Sequence, residues 1–362
     1  MRRSTHKDIL DFLQQVTPGA SSGQMSRRFC LMASLIQACI RNGHCRLESL
    51  SESTDAYAAR KKSSLLQQAK RWLGNKWTDW QTFYLPFVQH FLLGLAAKGG
   101  IVFVVDGSQT GSTNTTLMLS ALCRGFAIPV AWVVRKGGKG HFPEEMHTDL
   151  LNMIAPLCPA GCRIVLLGDG EFDGQALLKC CVDNHWSFVV RTSSDRLIDF
   201  GGEVARFDSM QTTRSVCFIW GAVPLANAVY WRGKGHSKPL FLLTNLELGY
   251  EACRYYKRRF KIETLFKHLK SAGFHLHKTR LQCSEKLANL IIVVAFSFVF
   301  SFCMGVFIKE NEPLEKIELI VRKDRLANIN PIVIAQLAIT HNCQCVATFF
   351  SDLPKNFNEI FT

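Results

Sequence analysis

Two short apolar runs constrain the fold more than any other feature of the chain. IVFVV at residues 101–105 and RIVLL at 163–167 are rich in β-branched residues. The first ends in Asp106-Gly107 and the second in Gly168-Asp169-Gly170. A strand that is apolar all round must be covered on both faces, so it belongs in the middle of a sheet with helices on each side. The segments around these runs alternate in character. Leu117 to Cys123 and Ile128 to Val134 read as strands, Met146 to Ala155 and Gly174 to Asn184 as helices, and SFVVRT (187–192) as a further strand. Strands alternating with helices predict an α/β fold.

In such sheets the groups that act on ligands gather at the carboxyl ends of central strands. Asp106 and Asp169 are placed there, beside glycines that leave a ligand room. A buried, unpaired carboxylate is costly, and two that meet repel each other unless a cation lies between them. Mg²⁺ suits that position because it takes oxygen ligands and keeps waters for substrate phosphates. Asp-Gly is also a common turn, so on these two residues alone a turn cap and a metal ligand both remain open.

The segment Tyr255 to Lys270, YYKRRFKIETLFKHLK, adds a second constellation. On a regular helix Tyr256, Arg259, Glu263 and Lys270 fall within an arc of roughly 60°, with Lys267 on the same side. Ile262, Leu265, Phe266 and Leu269 form a separate apolar stripe that can pack on a sheet. One carboxylate among several cations describes a salt-bridged surface as well as it describes a metal ligand flanked by phosphate clamps.

Tyr256, Arg259, Glu263 and Lys270 match Y-x2-R-x3-E-x6-K without a gap. This resembles the YREK signature of bacterial insertion-sequence transposases of the DDE type, and the contexts of Asp106 and Asp169 resemble the first and second Asp of that family. The resemblance runs from about residue 100 to 305. It implies a ribonuclease-H-like mixed sheet flanked by helices, with an antiparallel β insertion before the Glu-bearing helix and a helical region at the N-terminus. It implies that Asp106, Asp169 and Glu263 hold two divalent ions, Mg²⁺ or Mn²⁺, and that Tyr256, Arg259 and Lys270 contact DNA, with Lys267 beside them. A tryptophan of the insertion, Trp231 or else Trp220, would receive a flipped base. The implied reaction is cleavage at insertion-sequence ends and strand transfer into target DNA. The implied partners are double-stranded DNA and a second copy of the chain in the synaptic complex. A nuclease or resolvase with the same core, or a catalytically silent DNA-binding descendant, are the alternatives. Glu171 and Asp173 compete with Asp169 but fall in the turn after the strand.

On this reading residues 1–97 form a helical region that can bind DNA, and 98–194 the first part of the catalytic core. The β insertion covers 195–247, the second part of the core with the Glu-bearing helix covers 248–310, and a helical tail covers 311–362. The helices expected early are Arg27 to Arg41, Ser51 to Leu73 and Trp80 to Ala97, the last ended by Gly99-Gly100. A basic glycine-rich loop, Arg135 to His141, follows the third strand. With 43 Lys+Arg against 29 Asp+Glu, the net charge is +14, which favours a polyanionic partner.

Fourteen cysteines are scattered without a paired zinc-binding pattern, and the first residues carry no apolar run. A reducing cytoplasm is therefore expected, and the resemblance implies a bacterial one, close to the nucleoid. The uncharged stretch Asn289 to Ile308 is long enough to span a bilayer. Ser297, Ser301 and Gly305 recur along it every four residues, as close helix packing requires in lipid or in a protein core. No other segment resembles it. The expectation is burial beside the Glu-bearing helix, with no membrane partner.

Overall fold

The computed structural model describes residues 5–50, 62–138, 142–199, 202–210, 214–220, 223–232, 238–313 and 329–361. Helices α1 (Thr5–Val16), α2 (Gly23–Asn42), α3 (Leu47–Leu50), α4 (Lys62–Leu73), α5 (Trp80–Phe83) and α6 (Leu85–Ala97) precede the first strand. Residues 51–61 of the helix expected from Ser51 lie outside the described residues. The helix expected from Trp80 to Ala97 is two: Pro86 opens α6, and Tyr84 between them leaves helical geometry. Gly99 and Gly100 then take φ of 107° and 135°, which end α6.

Ten strands follow. β1 (Ile101–Thr110), β2 (Asn114–Cys123) and β3 (Phe126–Lys136) form a meander. Helix α7 (Glu144–Ile154) leads to β4 (Ile164–Gly168), and α8 (Gln175–Asp183) to β5 (Ser187–Arg191). Among the described residues, β6 (Leu197–Asp199) and β7 (Val204–Arg206) form a separate two-stranded sheet. β8 (Arg214–Trp220), β9 (Val223–Trp231) and β10 (Leu240–Thr244) join the main sheet, whose order is β3-β2-β1-β4-β5-β10-β9-β8. β1, β4 and β5 are parallel neighbours and β2 is antiparallel to β1. That mixed order, β3-β2-β1-β4-β5, is a ribonuclease-H-like core. The antiparallel insertion is present, but most of it extends the core sheet through β10 pairing with β5. Phe103, Val104 and Val105 of β1 and all of β4 are buried, as central strands require.

β3 is an edge strand and tolerates Pro129 there. A register shift opposite Leu119 and Ser120 frees two carbonyls. Trp80 Nε1 donates to Val130 O at 2.9 Å and the Tyr84 hydroxyl to Pro129 O at 2.9 Å. The N-terminal helices are thereby part of the same core as the sheet.

The uncharged stretch lies inside α11 (Ser284–Asn311), a helix long and apolar enough to cross a membrane, 94% of whose most apolar window is enclosed by protein. Its main neighbours are α2, β3 and the helix Pro331–Thr340. The helix that carries Glu263 packs mainly on β3 and β1, and the turn that follows it meets α11, with the His268 and Phe298 rings 6.3 Å apart. The small residues are where the backbones come close. The Ser297 hydroxyl reaches Ile36 O of α2 at 3.5 Å, and a Cβ on Gly305 would fall 1.9 Å from Pro331 O. Backbone atoms cannot yield as a side chain can. Gly305→Ala is therefore expected to cost about 1–3 kcal/mol, the range for overpacking, whereas Ser301→Ala costs less. Urea unfolding of the two variants side by side checks this, and equal midpoints would refute the close approach.

Candidate active site

The parallel register of β1 and β4 pairs Val104 with Leu167. Two residues further along each strand stand Asp106 and Asp169, so the register alone brings them side by side. β1 does not end at Asp106 as the apolar run suggested. It continues to Thr110 along β2, with Asp106 opposite Met118. What ends is β4, at Gly168, which opens a crevice beside β1. From that point β1 connects toward β2 and β4 toward β5, the switch of direction at which ligand sites form in α/β sheets.

The flanking glycines are required by packing. A Cβ on Gly107 would lie 2.7 Å from the Phe142 ring, and one on Gly168 2.6 Å from Phe172 Cβ. Asp106 Oδ1 accepts the Gly107 N–H at 2.7 Å, and Asp169 Oδ1 accepts the Glu171 N–H at 3.0 Å. Asp169 thus caps its own turn while Asp106 bonds its neighbour within the strand, and both line a cleft of about 610 Å³, together with Glu171, Arg259, Glu263 and Lys270. Burial, reinforced by the negative charge of Asp169, pushes Asp106 up to about 7, against the pull of the Arg259 guanidinium.

The helix expected from Tyr255 to Lys270 is broken. α9 (Gly249–Arg258) and α10 (Lys261–Lys267) are separated by a tight turn in which Arg259 N bonds Tyr256 O and Ile262 N bonds Arg259 O. Past α10 a π-helical turn, His268–Ala272, inserts extra backbone. The single polar row therefore splits. Tyr256 is 1% exposed and Arg259 6%, while Glu263 stands at the rim. Arg259 places Nη2 2.8 Å from Glu263 Oε1 and Nη1 3.7 Å from Asp106 Oδ2. Its guanidinium lies over the rings of Tyr256 (5.7 Å) and Phe260 (4.5 Å).

Oxygen-only donors and a repelling carboxylate pair fit a hard divalent cation at Asp106 and Asp169. Glu263 is close by but engaged with Arg259, and among the described residues no three His, Cys, Asp or Glu side chains converge tightly enough to hold a metal ion.

Several expected contacts take other forms. Tyr256, expected to touch DNA, is a core residue beneath Arg259, and burial pushes its hydroxyl pKa up. Lys267 is exposed on α10 and Lys270 borders the cleft. Trp231 is half-buried with the Lys257 ammonium 4.8 Å from its ring centre. It ends a strand three places from β4, about 14 Å at ordinary strand spacing. The side chain of Trp220 lies outside the described residues, as do residues 139–141 of the basic loop. Asp173 is tied to Arg196 and Thr192. Glu171, set aside in the sequence because it follows the strand end, lines the cleft after all; only the tight Asp169–Phe172 turn brings it back.

The folded-state value of Asp106, about 7, lies above the 3.8 of a free aspartate. In metal-free protein the unfolded chain releases this proton first, so stability falls as pH rises from about 4 to about 7 and levels off above. Asn mimics the protonated form and escapes this loss. Asp106→Asn should match the wild type near pH 4 and melt at higher temperature above pH 7, in EDTA. A melting-temperature difference that stays constant from pH 4 to 8 would contradict the buried, repelled carboxylate.

The comparison with curated proteins gave no match. Among solved structures, a cryo-EM structure of piggyBac transposase synaptic complex with hairpin DNA overlays with a TM-score of 0.46 at 11% identity, covering 98% of this chain and 82% of that chain. The transposase DDE domain family matches residues 77–300, more than half of the chain and the whole stretch from β1 to Glu263. This protein belongs to the transposase DDE domain family.

Proposed function

We propose that the protein is a DNA transposase of the bacterial insertion-sequence type carrying the YREK signature, which cleaves at the element's ends and joins them to target DNA. The observation that carries the reading is the side-by-side placement of Asp106 and Asp169 at the sheet's switch point, with Glu263, Arg259 and Lys270 around one cleft. Family members generally use divalent metal. Here Asp106, Asp169 and Glu263 would hold two Mg²⁺ or Mn²⁺ ions. When bound, such ions lower the pKa of an attacking water and balance charge on the leaving oxygen.

The chain's own groups do the rest. The guanidinium of Arg259, once released by Glu263, offers a planar donor pair to a phosphate near the scissile bond. Lys270 and the exposed Lys267 supply further positive charge for the backbone. Trp231, partly open at the end of β9, is the residue for an unstacked base. Two ends must be cut and joined together, so the working assembly holds two copies of the chain on double-stranded DNA.

Duplexes carrying the element's terminal repeats test the proposal. Asp106→Asn, Asp169→Asn and Glu263→Gln are each expected to lose Mg²⁺-dependent cleavage while staying folded. Arg259→Ala and Lys270→Ala should each flatten the salt dependence of binding by about one phosphate contact, a slope change near 0.9. Glu263→Gln should bind as well as the wild type or better. Normal cleavage in any carboxylate variant removes that residue from the site. Cleavage without joined products in a strand-transfer assay would favour a nuclease or resolvase.

A further inference from the structure

Glu171 faces the cleft, yet its carboxylate is occupied by protein. Oε1 accepts the backbone N–H of Phe142 at 2.6 Å, and His147 Nε2 lies 3.7 Å behind it. That imidazole is 3% exposed and packs on the Phe172 ring at 4.8 Å. Phe142 is itself buried at 5%, with its ring against Gly107, the neighbour of Asp106. Over the same ring lies the guanidinium of Arg135, 4.6 Å from the ring centroid. A second relation places Arg135 at the cleft. Its cross-strand partner is Thr115, which lines the cleft. Directly opposed residues of an antiparallel pair put their side chains on one face, about 4.5–5.5 Å apart at Cβ.

We propose that Glu171 is a positioning residue that, through Phe142, holds Arg135 as a phosphate-binding cation at the edge of the cleft. The inference rests on the transposase reading and adds to it a clamp on the DNA backbone from β3. Arg135 binds phosphate oxygens through its planar donor fork, and stacking on Phe142 fixes the plane before DNA arrives. The Glu171 carboxylate sets the position of Phe142 by accepting one main-chain N–H, a task that needs an acceptor oxygen and no net charge. It is not a metal ligand. Gln at this position therefore keeps the function, and Ala loses it.

The experiment is a salt series of binding to a duplex carrying the element's terminal repeat, in EDTA, with the folded state of each variant checked by near-ultraviolet circular dichroism. Cleavage in Mg²⁺ is measured in parallel. Arg135→Ala should reduce the salt slope by about 0.9, one phosphate contact. Glu171→Ala should reduce it by the same amount, Glu171→Gln should restore it, and the double variant Arg135→Ala/Glu171→Ala should lose no more than either single one. If Glu171→Ala does not fold, Phe142→Leu, which keeps the apolar cover of Gly107 but removes the ring beneath Arg135, should show the same loss. Loss of cleavage in Glu171→Gln equal to that in Asp106→Asn would overturn the proposal by making Glu171 a ligand. Additive losses in the double variant, or an unchanged slope in Arg135→Ala, would overturn it as well. Slopes altered by Arg259→Ala but not by these variants defeat this inference alone. A wild type that does not bind the end duplex defeats the transposase reading with it.

Discussion

Two carboxylates set side by side where β4 ends against its parallel neighbour β1 repel each other, and the site is organised around that repulsion. The register of β1 and β4 enforces the meeting of Asp106 and Asp169, because both strands are buried on both faces and neither can slip without exposing apolar side chains. Arg259 partly compensates, since its guanidinium reaches Asp106 while bonding Glu263. A buried Arg is stable only when paired, and the rings of Tyr256 and Phe260 hold it in place. The fold thus supplies one organic cation where metal chemistry is expected to bring two inorganic ones.

This explains why the Glu-bearing segment is not one straight helix. A continuous helix would keep Tyr256, Arg259, Glu263 and Lys270 on a single face. The turn at Arg259 and Phe260 instead sends Tyr256 and Arg259 inward while Glu263 stays at the rim. Lys270, within the π-helical turn, still borders the cleft. Local backbone irregularity is how one stretch of sequence serves both the core and the site.

The long apolar helix α11 belongs to the same logic of coverage. The sheet needs apolar partners on both faces, and α11 supplies one by packing on β3 while the N-terminal and C-terminal helices close around it. Gly305 and Ser297 lie where those neighbours come closest. A stretch with the length of a bilayer span is here enclosed by protein.

Much of this was legible in the sequence because it rests on local chemistry. Apolar β-branched runs announce buried strands, the Asp169-Gly170 step marks where β4 gives way although β1 runs on through Asp106-Gly107, and the spacing of Tyr256, Arg259, Glu263 and Lys270 resembles the YREK signature. The small residues of 289–308 announced close packing, with the Glu-bearing helix as the expected neighbour, whereas α2, β3 and the helix Pro331–Thr340 are the main ones. Other features depend on residues far apart in the chain, and only the tertiary structure decided them. The pairing of β10 with β5 turned an insertion into an extension of the core sheet. The Asp169–Phe172 turn returned Glu171 to the cleft, where Phe142 meets it 29 residues away in sequence. The burial of Tyr256 was likewise decided by what packs over it, whereas the bond between Arg259 and Glu263, four residues apart, is one that a regular helix already allows. Composition and periodicity record how each segment meets solvent, while the directions in which side chains finally point depend on which segments compete for the same space.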